Sequence, residues 1–228
     1  MLNSDNYVVS LKTELIKKLN DLIIIHNFDE AEKIMEELLA NEPYNTELWL
    51  RYAVLELNSP LTDPIRSIEC LNKIFQYDKY NFEAILLLCC IYHFHLGDID
   101  DELISKLDSV KTNDKEKLSM IEYIKSWYYD RKEDNKMYEQ VLLKSIELFS
   151  GNVLNYKRLA QFYVKNGNIK RSQELIKLAL KNITLVYSKD YFHDFTDVNE
   201  YFNEFVRGIH STSNHYESLE EELMQNPC

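Results

Sequence analysis

The stretch from Val153 to Thr184, VLNYKRLAQFYVKNGNIKRSQELIKLALKNIT, constrains the fold more than any other part of the chain. Tyr156, Leu159, Ala160 and Tyr163 recur at the spacing of one helical face. Asn166-Gly167-Asn168 then makes a turn, its glycine free to take the left-handed conformation that ends a helix. A second face follows in Ile169, Ser172, Ile176 and Ala179. Two short helices joined this tightly cannot bury their own apolar surface. The stretch therefore demands neighbours of its own kind.

The rest of the chain supplies them. Four Gly and four Pro in 228 residues are too few turn residues for a β-rich chain, so long helices with few breaks are the economical reading. Units start at Lys12, Thr46, Phe82, Ser119 and Val153, spaced 34, 36, 37 and 34 residues apart. The first places Leu15, Leu19 and Leu22 on one helix, turns at Asn27-Phe28-Asp29 with Asp29 as cap, and continues through Ala31, Met35 and Leu38 to Pro43. The second carries Trp49, Tyr52, Ala53 and Glu56, then an enlarged turn from Ser59 to Pro64 with Asp63 capping, then Ser67, Leu71 and Ile74. In the third, Ile85, Leu88, Cys89 and Tyr92 precede a Gly97-Asp98 turn. Its second helix, near Asp100 to Val110, has Glu102 where a small residue belongs. The polar run Lys111 to Lys117 reads as a loop or mild break. The fourth unit places Ile121, Ile124, Tyr128 and Tyr129 before a charged turn, then Tyr138, Leu142 and Ser145.

This order of large, small and aromatic positions resembles the tetratricopeptide repeat, W-x2-L-G-x2-Y…A-x3-F…P over 34 residues. Tyr156 stands at its Trp, Ala160 at its Gly and Ser172 at its Ala; Ala31-x3-Met35 and Pro43 fall where Ala, Phe and Pro belong. Lys18 departs from it, where an apolar residue is usual. The string from Leu48 to Glu56 also resembles the half-a-TPR variant, W-x2-Y-x3-E, which is associated with RNA-processing assemblies. The resemblance implies an all-α fold: a right-handed α-solenoid of about five TPR-like helix pairs. Residues 1–11 would be a lead-in, 12–184 the repeat domain and 185–228 a C-terminal capping helix with an acidic tail. Val198, Tyr201, Phe202, Phe205 and Ile209 recur at helical spacing in that last part, as a capping helix requires.

Nothing in the sequence carries catalysis. The four glycines are isolated, and neither a phosphate loop, H-E-x-x-H nor GxSxG occurs. Cys89, Cys90, His93 and His95 come nearest to a metal site, but Cys90 and His95 point to other faces of one helix than Cys89 and His93 do. The reading is a protein that is not an enzyme, with no cofactor and no metal. The longest apolar run, Ala84 to Tyr92, is too short to span a bilayer, and irregularly spaced cysteines without a signal peptide point to the cytoplasm. A net charge of −12 without clustered Lys and Arg argues against nucleic acid and suits a basic partner. The last forty residues hold nine acidic side chains against two basic ones, which reads as a solvated face before a binding tail.

In the family that the chain resembles, the first helix of each unit lines a concave groove. Carried over by position, the groove would comprise Ile16, Asn20, Leu50, Val54, Leu57, Leu86, Cys90, His93, Tyr123, Trp127, Lys157 and Gln161. The family's clamp for acidic peptide tails uses Lys, Arg and Asn; only Asn20, Lys157 and Arg158 are of those types, in units at opposite ends, so that reading is set aside. An apolar and aromatic stripe suits an amphipathic helix or hydrophobic segment of a partner. The functional expectation is an adaptor or chaperone-like scaffold, monomeric when free. The alternative is an immunity protein that neutralises a basic toxin domain by direct binding.

Overall fold

A computed structural model describes residues 4–58, 62–182, 220–221 and 224–225. The expected capping helix and most of the acidic tail lie outside the described residues, as does most of the enlarged turn after Asn58. The chain divides into two compact units, which among the described residues are 4–58 with 62–91, and 92–182 with 220–221 and 224–225.

The first unit holds α1 (Ser4–Ile24), α2 (Phe28–Asn41), α3 (Thr46–Leu55), α4 (Pro64–Tyr77) and α5 (Phe82–Ile91). Each packs on the next in chain order. Helix α1 starts at Ser4, so it runs back through residues read as a lead-in. The cap of α2 is Asn27 rather than Asp29, which falls within the first turn, where a carboxylate meets the positive end of the helix dipole. Asp63 does cap α4, accepting from Ile65 and Arg66 N–H at 3.0 and 2.9 Å, and Pro64 opens the helix. The small residue of α4 earns its position by geometry: the buried Ser67 hydroxyl donates to the Ala53 carbonyl at 2.8 Å, tying α4 to α3 at close range.

The second unit opens on a π-helical turn (Tyr92–Leu96) and continues with α6 (Asp101–Asp108), α7 (Lys115–Arg131), α8 (Asn135–Leu148), α9 (Val153–Lys165) and α10 (Ile169–Asn182). Helices α6 to α10 also pack in chain order. Asp114 caps α7 through the N–H groups of Glu116 and Lys117, so the helix begins inside the run expected to be loop. Ser145 of α8 donates to the Ser119 carbonyl at 2.6 Å and takes a hydroxyl bond from Ser119 at 2.8 Å, another close crossing between buried small residues. Gly167 turns α9 into α10 with φ of 76°. Tyr156, Leu159 and Ala160 are buried against the α10 face of Ser172, Ile176 and Ala179, as the opening stretch required. Among the described residues there is no strand, and no helix is long and apolar enough to cross a membrane.

Candidate functional site

Helix α7 carries Tyr123 and Trp127 one turn apart, with rings edge to face at 5.3 Å. The π-helical turn sets His93 flat on Trp127, centroids 4.3 Å apart and planes within 13°. Phe94 meets the same indole edge-on at 5.3 Å while remaining 45% exposed. From α9, Arg158 lies with its guanidinium carbon 5.7 Å from the Tyr123 ring centre and 6.0 Å from that of Trp127. These are cation–π distances. Trp127 is 1% exposed, so the cluster is a covered floor with half-buried and exposed side chains over it.

Its electrostatics are unusual in one respect. Trp127 Nε1 and Arg158 Nη1 are buried donors without a hydrogen-bond partner among the described residues. Burial, helped by the charges of Arg158 and Arg131, drives His93 down to about 4, so its ring is neutral at physiological pH. A neutral imidazole stacks beside a guanidinium without repulsion. Burial pushes Tyr138, also near Arg158, up to about 12.

The first unit has a second arginine cluster of another kind. Arg66 Nε lies 2.9 Å from Glu56 Oε1, an ion pair whose N–H is not aimed closely enough to count as a hydrogen bond. The Arg66 guanidinium also bonds the Tyr52 hydroxyl and reaches Glu32 and Glu36 at 3.5 Å. Glu56 is 1% exposed, and burial first, then the crowd of neighbouring carboxylates, lifts its carboxyl to about 7 against the pull of Arg66.

The expected groove residues separate into two groups. Leu50 and Val54 on α3, Leu57 just beyond it, Leu86 and Cys90 on α5, and Tyr123 and Trp127 on α7 are all buried. They serve the cores of their units as they stand. Ile16 and Asn20 on α1, His93, and Lys157 on α9 are half-buried, and Gln161 is exposed. The structure brings His93, Tyr123 and Trp127 together. Phe94 and Arg158 complete that cluster and were not among the expected residues. Arg158 was legible as the nearest cation on α9; Phe94 was not, because an α-helical continuation gives no reason to pair it with Trp127. Of the candidate metal set, Cys89 and Cys90 are buried on α5, and burial raises the Cys90 thiol well above its usual range. Among the described residues, no three His, Cys, Asp or Glu side chains gather as a metal site.

The fold has solved counterparts. PilW, a widely conserved type IV pilus biogenesis factor, superposes with a TM-score of 0.60 over 95% of this chain and 93% of its own, at 13% identity. MamA from Desulfovibrio magneticus RS-1 gives 0.58 over 78% of this chain and 98% of its own, at 15% identity. A tetratricopeptide repeat protein from Parabacteroides merdae gives 0.57 over 98% and 86%, at 13% identity. This is a tetratricopeptide-repeat-like fold. At these identities the likeness concerns the helix-pair architecture alone. No protein-family model and no curated protein matches the chain. Within the TPR-like frame, the His93–Trp127 cluster sits on first helices of pairs and on the turn that follows one. Those are the positions from which the resemblance expected binding.

Proposed function

We propose that this chain is a non-enzymatic protein-binding module, an adaptor or chaperone-like scaffold that holds a segment of a partner against its first helices. The observation that carries the reading is the second unit's cluster: an exposed Phe94, half-buried His93 and Arg158, and a floor of Tyr123 and Trp127 with two unpartnered donors. Aromatic and arginine side chains of this kind dominate binding energy where they occur in interfaces. Lys157 and Gln161 on α9 extend the surface, and Ile16 and Asn20 offer half-buried positions on the first unit. Leu50, Val54, Leu57, Leu86 and Cys90 are buried within the first unit and support its own first helices. The partner is a protein with a basic surface around an apolar centre, as a net charge of −12 favours. Cys70, Cys89 and Cys90 are buried cysteines, which suits a reducing cytoplasm.

The same charge favours a second reading, an immunity protein that covers a basic toxin domain. The two differ in footprint, because an adaptor accepts an isolated peptide and an inhibitor requires a folded domain. The test is affinity capture with mass spectrometry, followed by quantitative binding of the captured protein and of peptides from it. Binding should be lost with Phe94→Asp and kept after removal of residues 216–228. The reverse result would make the acidic tail the recognition element.

A further inference from the structure

Helices α9 and α10 reverse the charge of the rest of the chain. Between Val153 and Asn182 there are seven basic side chains and one acidic, Glu174; out of totals of 26 and 38, the remainder holds 19 basic against 37 acidic. The overall −12 conceals this cationic stretch. Its exposed part gathers on α10. Lys170, Lys177 and Lys181 fall within about 40° of one another around the helix axis and follow it for about 16 Å. All three are exposed, while Ser172, Leu175, Ile176 and Ala179 turn the opposite face into the core.

These three charges are uncompensated. None of the lysines has an ion pair or side-chain hydrogen bond among the described residues. The one carboxylate on the exposed arc, Glu174, is taken by Arg171 Nη1 at 3.0 Å. Leu178 lies on the same arc, 45% exposed, between Arg171 and Lys181 along the helix. A single leucine in water is ordinary on a protein surface. This one stands beside a row of cations without counter-charges, and lysine stems add apolar contact of their own next to it.

We propose that the exposed face of α10 docks an acidic amphipathic helix of a partner protein, its carboxylates on Lys170, Lys177 and Lys181 and an apolar side chain on Leu178. Charge complementarity selects the occupant's sign, and the leucine selects its kind. A phosphate backbone would satisfy the lysines but leave Leu178 without a contact, and the acidic remainder of the chain repels a long polyanion. A bilayer takes a wider apolar face than one leucine offers. The surface has the opposite sign to that of the partner proposed above, so it adds a second attachment and does not rest on the Phe94 cluster.

The test uses the full chain and a blocked peptide of three Glu-Glu-Leu-Ala repeats, with its Gln-for-Glu counterpart as the neutral isostere, in about 0.15 M salt to suppress diffuse attraction. Amide NMR shifts should saturate and stay confined to residues 165–182. The neutral peptide, and the Lys177→Gln/Lys181→Gln variant, should each bind about tenfold more weakly. Lys177→Arg/Lys181→Arg, which keeps the charges, should bind as the parent does, and Leu178→Ser should weaken binding about fivefold. Phe94→Asp and removal of residues 216–228 should each leave the titration unchanged. Tighter binding after the truncation would make this chain's own acidic tail the occupant. Self-association in sedimentation equilibrium that Lys177→Gln/Lys181→Gln abolishes would make it a second copy. Tighter binding of a single-stranded oligonucleotide or of anionic vesicles than of the peptide would make the ligand a phosphate surface. Each of these would overturn the proposal, as would equal binding of the neutral peptide, full binding by Leu178→Ser, or shifts spread beyond α9 and α10.

Discussion

Arg66 in the first unit and Arg158 in the second each lie over a tyrosine ring, at 5.4 and 5.7 Å. Their partners differ. Arg66 has Glu56, Glu32, Glu36 and the Tyr52 hydroxyl around it, side chains from α2, α3 and the residue after α3. Arg158 keeps a buried Nη1 with no hydrogen-bond partner among the described residues, beside an indole N–H in the same condition. Arg66 is the cation that faces the buried Glu56 carboxyl, so removing it strands a charge, whereas no carboxylate pairs with Arg158 among the described residues. One arginine therefore holds helices together and the other has capacity to spare, although their ring contacts are nearly the same. That contrast can be tested.

The largest effect comes from breaking either unit at its tightest crossing. Ala53→Asp in the first unit and Ala160→Asp in the second place a carboxylate at a fully buried contact, and each should cost roughly 4 kcal/mol or more in urea unfolding. A variant that melts within about two degrees of the parent would show that the helix register assigned to that unit is wrong.

Next in size is the direct comparison of the arginines. Arg66→Met leaves the buried Glu56 carboxyl without its cation and should cost about 2–3 kcal/mol. Arg158→Met should lie within about 1 kcal/mol of the parent. Equal losses would erase the distinction.

A third measurement sharpens the first cluster. Glu56 rises from an ordinary 4.5 to about 7 in the folded chain, so between those values the folded state holds its proton more firmly than the unfolded state. Stability from this group is therefore greatest at low pH and is lost as pH rises through that window. Unfolding free energies of parent and Glu56→Gln, compared at about pH 5 and pH 8, should show a downward contribution with pH that the variant lacks. A pH profile unaltered by the substitution would mean that Arg66 compensates the charge completely.

The smallest effect on stability belongs to Phe94→Ala, within about 0.5 kcal/mol because the ring is partly in solvent. Its effect on partner binding should be at least about tenfold. A large stability loss with unaltered binding would make the ring part of the core.

The helix pairs were legible because helical periodicity and small residues at crossings are local signals. Ala53, Ser67, Ala160 and Ser172 read as close contacts from spacing alone, and the Asp63-Pro64 start of α4 follows from capping chemistry. Asp29 misled because Asp and Asn both cap helices, and only the backbone decides that Phe28 is already helical. The run from Lys111 to Lys117 misled because polar residues solvate a loop and a first helical turn equally well, and Asp114 closes the question by bonding forward. The binding residues were the hardest to read. Position along a first helix does not reveal whether Val54, Leu86 or Trp127 ends under other side chains, since that depends on what the rest of the chain brings over them.

The π-helical turn has a consequence for phase. Gly97 N–H reaches back five residues to the Tyr92 carbonyl at 2.7 Å, so the turn holds one residue more than an α-helical ladder would allow. One residue corresponds to about 100° of rotation around a helix axis. Deleting a single residue between His93 and Leu96 would let an ordinary helix close, and the side chains beyond the deletion would be re-aimed by that angle relative to those before it. The turn that carries His93 and Phe94 onto Trp127 thus contains an insertion of one residue, in the repeat whose 37-residue length already exceeds the usual period.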